Sequence, residues 1–154
     1  MGTRHVQVVI TKKGETKISQ YGQWDGYPSG QGIDILNFLK NGNLRRYQEN
    51  LEKIKPITKK QIKFVEQLED WNKVYYFLSR DCGARIHTMI EWGAVPFVYI
   101  MSKKEADQNC AWFYTIDFSK NEFVSEKYKF KQTYKLDALP TNEEYLKIME
   151  PEEE

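Results

Sequence analysis

The apolar positions of this chain fall first into two short β-branched runs, then into helical spacing, then back into strand-like runs before a last helical stretch. Residues 4–11, "RHVQVVIT", and 16–21, "TKISQY", are joined by "KKGE", which sets Gly14 where a hairpin turn needs positive φ. A helix is predicted from about residue 32, carrying Ile33, Leu36, Phe38 and Leu39 and ended by Gly42. Asn43 caps a second, with Leu44, Tyr47, Leu51 and Ile54 on its buried stripe, arginines on its other face and Pro56 as its stop. Thr58 and Gln61 form a capping-box signature, and Ile62, Val65, Leu68, Trp71, Tyr75 and Leu78 then step by three and four, predicting one long helix. "SRDCGARIHTMIEWG" reads as another, starting at Ser79 or Asp81 with Gly93 past its end. Strands are expected in "VPFVYIM", "AWFYTIDF" and "FVSEKYKFKQTYKL", with "SKNE" as a turn, and Thr141 with Glu144 caps a final helix before a fraying "PEEE".

This order lacks the strand-helix alternation of a parallel doubly wound sheet. The expected fold class is α+β: an antiparallel sheet built from the N-terminal hairpin and the C-terminal strands, with about four helices inserted between them and packed on one face. A chain of 154 residues is one domain, here residues 1–150 with an acidic tail at 151–154.

Composition narrows the class. With 40% hydrophobic and 14% aromatic residues, ten of them tyrosine, the chain is globular, and the aromatic share suggests rings facing a partner as well as the core. No apolar run approaches the length of a membrane span, and "MGTRHVQVV" lacks the ordered regions of a secretory signal, so the expectation is a soluble cytoplasmic protein with no membrane partner. Val6 stands where a myristoylation motif wants Ser or Thr. Cys82 and Cys110 make no disulfide framework, and with His5 and His87 they make no zinc spacing, so neither metal nor cofactor is expected. Charge is uneven: residues 40–63 hold eight bases, among them Arg45, Arg46, Lys59 and Lys60, against Glu49 and Glu52. From Asp137 onward seven acids stand against Lys147. The basic stretch is either a surface facing a polyanion or a solvated helix face.

Residues 20–32, "QYGQWDGYPSGQG", are the most unusual stretch, with four glycines, three aromatics and no aliphatic residue. The glycines let the backbone approach a ligand, and a helix starting just beyond favours an anion there, with Ser29 adding a hydroxyl. Tyr21, Trp24 and Tyr27 offer faces for stacking on a base, while Gln23 and Asp25 can read its edge, a set suited to RNA or a nucleotide. The segment matches neither the Walker loop nor G-x-G-x-x-G. Its other reading is a structural loop whose rings pack on the sheet. "SRDCGA", residues 79–84, places Cys82 in a predicted first helical turn beside Arg80, a conceivable nucleophile; the competing reading makes Asp81 an N-cap and Cys82 a small core residue. Asp81 and Asp25 are the alternative acid-base pair. Arg4, opening the first strand, suits a phosphate or carboxylate.

The opening "MGTRH", the "QYGQWDGYPSGQG" segment after a hairpin, and "SRDCGA" downstream resemble a family of small proteins encoded by bacteriophages and bacteria, with distant relatives in fungi. That resemblance implies a phage-type accessory gene, a class whose products often counter host defences by binding a defence protein, its nucleic acid or its nucleotide signal. The functional expectation is therefore a non-enzymatic counter-defence inhibitor, anti-CRISPR-like, that binds RNA, a nucleotide or a host defence protein through residues 20–32. A small hydrolase or transferase using Cys82 or Asp81 with Asp25, and a protein-protein adaptor or homodimer, are the alternatives.

Overall fold

The computed structural model describes residues 2–151, so most of the expected fraying tail lies outside the described residues. The fold is mixed α+β, as expected, with the N-terminal hairpin and the C-terminal strands in one sheet. β1 (His5–Ile10) and β2 (Thr16–Gly22) form the hairpin, with Gly14 at φ 84° in its turn. β5 (Trp112–Asp117), β6 (Glu122–Lys127) and β7 (Phe130–Lys135) complete a five-stranded sheet of order β2-β1-β5-β6-β7. Within this sheet every pairing is antiparallel except that of β1 with β5, which run parallel from His5 beside Trp112 to Ile10 beside Asp117. The expectation of an antiparallel sheet is corrected there, because the long helical crossover between β2 and β5 can return the chain in either direction, whereas a hairpin cannot.

The insertion holds more helices than expected. α1 (Ile33–Asn41) is preceded by a π-helical turn over Pro28–Gly32, and α2 (Leu44–Leu51) is capped by Asn43, whose Oδ1 accepts from Arg46 N–H at 3.0 Å. After β3 (Lys55–Pro56), the predicted long helix is three pieces: α3 (Lys59–Glu66) with its full capping box, α4 (Trp71–Val74) and a 3-10 turn over Tyr76–Leu78. The break has a local cause. Gln67 and Leu68 donate back to the carbonyls of Phe64 and Val65, three residues behind, which tightens and closes α3 before Trp71. α5 (Arg85–Glu91), β4 (Phe97–Val98) and α6 (Lys103–Asn109) follow, and α7 (Asn142–Met149) starts at Thr141 as read. α5 starts later than either Ser79 or Asp81, because Gly83 takes φ 55° ahead of it. α6 was not expected, although Ser102, whose Oγ accepts from Glu105 N–H at 3.2 Å, gives it a legible cap.

The core lies between the sheet and the helices and takes Val9, Ile18, Ile35, Leu36, Tyr47, Ile86, Ile90, Ile116 and Phe123. One core-facing row across the sheet is polar: Gln20, Gln7, Tyr114 and Ser125 are adjacent through the strand register. Ser125 Oγ lies 2.8 Å from Tyr145 Oη on α7, and Gln20 Nε2 donates to the Phe77 carbonyl at 3.0 Å. These bonds fix where α7 and the Tyr76–Leu78 turn sit, and the latter delivers "SRDCGA" to the end of β2.

Candidate functional site

The two segments singled out from sequence meet. β2 carries residues 20–22 of the unusual stretch, a turn with Asp25 at φ 54° takes 23–27, and the π-helical turn takes the remainder into α1. Against this runs "SRDCGA": Gln23 N–H donates to the Arg80 carbonyl at 3.0 Å, and Trp24 Nε1–H donates to Asp81 Oδ1 at 2.7 Å. Gln31 closes the junction. Its Nε2 donates to the Trp24 carbonyl at 3.2 Å and its Oε1 accepts from Ala84 N–H at 2.8 Å, so that a side chain 53 residues away occupies the N-terminus of α5. Asp81, expected as that N-cap, binds the indole instead.

Several neighbours complete the polar surface. Tyr76 Oη donates to the Asp81 carbonyl at 2.9 Å and accepts from the Arg85 guanidinium. Tyr27 Oη donates to Asp25 Oδ1 at 3.0 Å; this hydrogen bond and the carboxylate charge raise the phenol's pKa. The Asp34 carboxyl is also raised, by burial first and by the nearby Asp25 charge, with Arg85 opposing. Tyr21 Oη donates to Gln23 Oε1. Trp24 and Tyr27 are 43% and 39% exposed, so neither ring is a core residue and neither is free of the fold.

Of the other expected residues, some are engaged within the chain, one is buried and some lie apart. Ser29 was assigned to an anion at the helix start, and an anion is there, but it belongs to this chain: Glu150 Oε1 accepts from Ser29 N–H at 3.0 Å and from its hydroxyl at 3.2 Å. Cys82 lies before α5 rather than in its first turn and is buried. Burial pushes its thiol up to about 12 although Arg85 is near, the opposite of an activated nucleophile. Arg4 is exposed at the start of β1, where its carbonyl accepts from Ala111 N–H at 3.0 Å. The four basic residues lie elsewhere: Arg45 pairs with Glu49 at 3.4 Å, and the Arg46 guanidinium lies 4.6 Å from the centre of the Trp92 ring and 3.9 Å from Glu91. Lys59 and Lys60 open α3.

Glycine in the unusual stretch also has a packing cause. A Cβ on Gly22 would lie 2.0 Å from His5 Nε2, so the imidazole of β1 rests directly on the backbone of β2. Among the described residues nothing bonds either ring nitrogen of the buried His5, and burial lowers its pKa to about 4 against the pull of Asp25.

Beside this junction lies a groove of about 1050 Å³ between the outer edge of β2, the Ser79–Asp81 segment and residues 98–101. Tyr21, Trp71 and Tyr99 contribute aromatic surface, and the ionic groups are Glu69, Asp81 and Glu105 against Arg80. Sequence reasoning found Tyr21, Arg80 and Asp81 but not Tyr76, Trp71 or Tyr99, which lie outside both segments and are joined to them only by folding, and it gave Gln31, inside the first segment, no role. Among the described residues no helix is long and apolar enough to cross a membrane. No protein-family model matches the chain, and neither a curated protein nor a solved structure matches it.

Proposed function

We infer that the protein is a binding protein whose partner is another polypeptide, held in the groove beside β2 and the Trp24–Asp81 junction. The observation that carries this reading is the ionic lining: three carboxylates face one guanidinium, which repels a phosphate backbone and suits a cationic protein segment. Aromatic walls support it, since Tyr and Trp dominate the energetics of protein-protein contacts. Arg45 and Arg46, the electrostatic part of the RNA reading, lie on α2 away from the groove, Arg46 against Trp92 and Glu91. The enzyme alternative loses its nucleophile to the burial of Cys82. The resemblance to phage-encoded accessory proteins supports a host protein as the partner and inhibition by occupancy as the activity.

Photo-crosslinking from inside the groove tests the reading. With a benzophenone amino acid in place of Asn72, which lines the groove and is exposed, the expected product in expressing cells is a protein adduct. It should disappear with the charge reversal Glu69→Lys with Glu105→Lys. An RNA adduct, or a protein adduct indifferent to the reversal, would sink the proposal.

A further inference from the structure

β2 is an edge strand whose outer side is only partly open. In an antiparallel pair, residues alternate between exchanging both main-chain hydrogen bonds with the partner strand and directing both groups outward. The Ser19 carbonyl accepts from Met101 N–H at 2.9 Å, and Gln23 N–H reaches the Arg80 carbonyl at 3.0 Å. The β1–β2 register runs unbroken from His5 beside Gly22 to Val9 beside Ile18, so the outward-facing set is Ser19, Tyr21 and Gln23. Of these, Tyr21 has neither its N–H nor its C=O taken up by any main-chain or side-chain group of the described residues. The reason is local. Residues 99–101 run alongside β2 as far as the parallel bridge between Ser19 and Ile100, and Ser102 then turns the chain into α6. From the other side, the Arg80 carbonyl closes the edge again at Gln23.

What remains is a gap in the edge that opens into the groove. Between Ser19 and Gln23 it measures about 13 Å at ordinary strand rise, enough for two or three extended residues to lie flat. An unpaired donor and acceptor on a strand edge is the feature that strand addition uses, main-chain bonds giving affinity and flanking side chains giving specificity. A nucleobase could also bond such a pair, but the phosphates attached to it would face Glu69, Asp81 and Glu105.

Resting on the reading that the groove takes a polypeptide, we propose that the partner segment adds to the sheet as a short strand at Tyr21. Tyr21 N–H donates to a carbonyl of the segment and Tyr21 C=O accepts from one of its N–H groups. A Lys or Arg side chain of the segment then lies among Glu69, Asp81 and Glu105, and its neighbours meet Trp71 and Tyr99.

Two pools of blocked pentapeptides provide the probe. The first is random in Thr, Val and Lys with at least one Lys; the second has the same composition but is N-methylated throughout, so it keeps the side chains and has no main-chain donors. Each is titrated at millimolar concentration into the full-length, nitrogen-15-labelled protein. With the first pool, the Tyr21 amide resonance should shift and its hydrogen exchange should slow at least tenfold. The second pool should leave both unchanged. Glu69→Lys with Glu105→Lys should weaken binding of the first pool at least tenfold; unchanged affinity would overturn the cationic preference. If both pools move groove resonances equally, strand addition fails while the groove remains a peptide site. If neither moves any groove resonance, both readings fail.

Discussion

Gln31 decides whether the two segments of the site behave as one. Among the described residues its amide is the sole side-chain link to both the Trp24 carbonyl and the Ala84 N–H, and Ala84 is the residue from which α5 begins. Removing one partner of a buried or half-buried hydrogen bond costs about 1–3 kcal/mol, more than the bond itself contributes, because the group left behind is desolvated without compensation. Gln31→Ala should therefore lower unfolding stability by about 1–3 kcal/mol. Gln31→Glu retains an acceptor for Ala84 while losing the donor to Trp24, and should fall between the two. Urea unfolding followed by circular dichroism measures both; equal stability of all three proteins would show that the junction is held without Gln31, by the Gln23–Arg80 backbone contact and the Trp24–Asp81 hydrogen bond. The consequence for binding is that Gln31, which does not line the groove, should still alter it through Asp81 and Trp24.

Among the elements, α2 shows how a charged helix face can be misread. Arg45 and Arg46 are adjacent in sequence and look alike as basic surface, yet they differ in what they touch. The Arg45 side chain is 91% exposed and pairs with Glu49 one turn away, an interaction of little consequence in water. Arg46 covers Trp92 and approaches Glu91, which also accepts from Asn43 N–H at the start of α2. Arg46→Ala should cost about 0.5–1 kcal/mol of stability, whereas Arg45→Ala should be neutral. Thermal unfolding of the two single variants checks this; indistinguishable behaviour would return both residues to the class of plain solubilising charge. The same contrast explains which parts of the fold were legible. Caps and turns were, because Asn43, Thr58 with Gln61, Thr141 and Gly14 act on backbone groups within four residues. The break after α3 and the late start of α5 were not, because the i→i−3 closure at Gln67 and Leu68 and the positive φ of Gly83 are local choices that the helical spacing and residue types leave open, and the parallel pairing of β1 with β5 depends on groups far apart in sequence. Helical spacing over residues 62–78 was present, but three short pieces satisfied the core equally well. The unusual stretch and "SRDCGA" were legible as special, and their meeting was not, because Gln31 carries no signal of its own.

For the molecule as a whole, the two histidines set a pH limit on stability. His87 is fully enclosed, its Nδ1 2.9 Å from Tyr47 Oη, its Nε2 against Gln7 Oε1, and its ring stacked with Phe38. Burial, with the neighbouring His5, lowers its pKa to about 3. His5 lies between Gly22, Tyr114 and the Asp25 charge, and burial lowers it to about 4. In the unfolded chain both imidazoles bind a proton near pH 6.5. Between that pH and the folded values the unfolded state holds more protons, so stability rises with pH there. The contribution is complete above about pH 6.5 and is lost as pH falls towards about 4 for His5 and about 3 for His87. Carboxylates of the unfolded chain titrate only near pH 4, which leaves the decline between about pH 6.5 and 5 to the imidazoles. His5→Phe isolates one of them: the ring it replaces forms no hydrogen bond, so nothing polar is orphaned, and whatever strain the larger ring adds against Gly22 shifts all pH values alike. Urea midpoints measured from pH 7.5 to 5 should fall steadily in the parent protein and about half as steeply in His5→Phe. A parent curve that is flat across this range would mean that both imidazoles take up protons in the folded state, and that water or Asp25 reaches a cluster the sheet and helices here enclose.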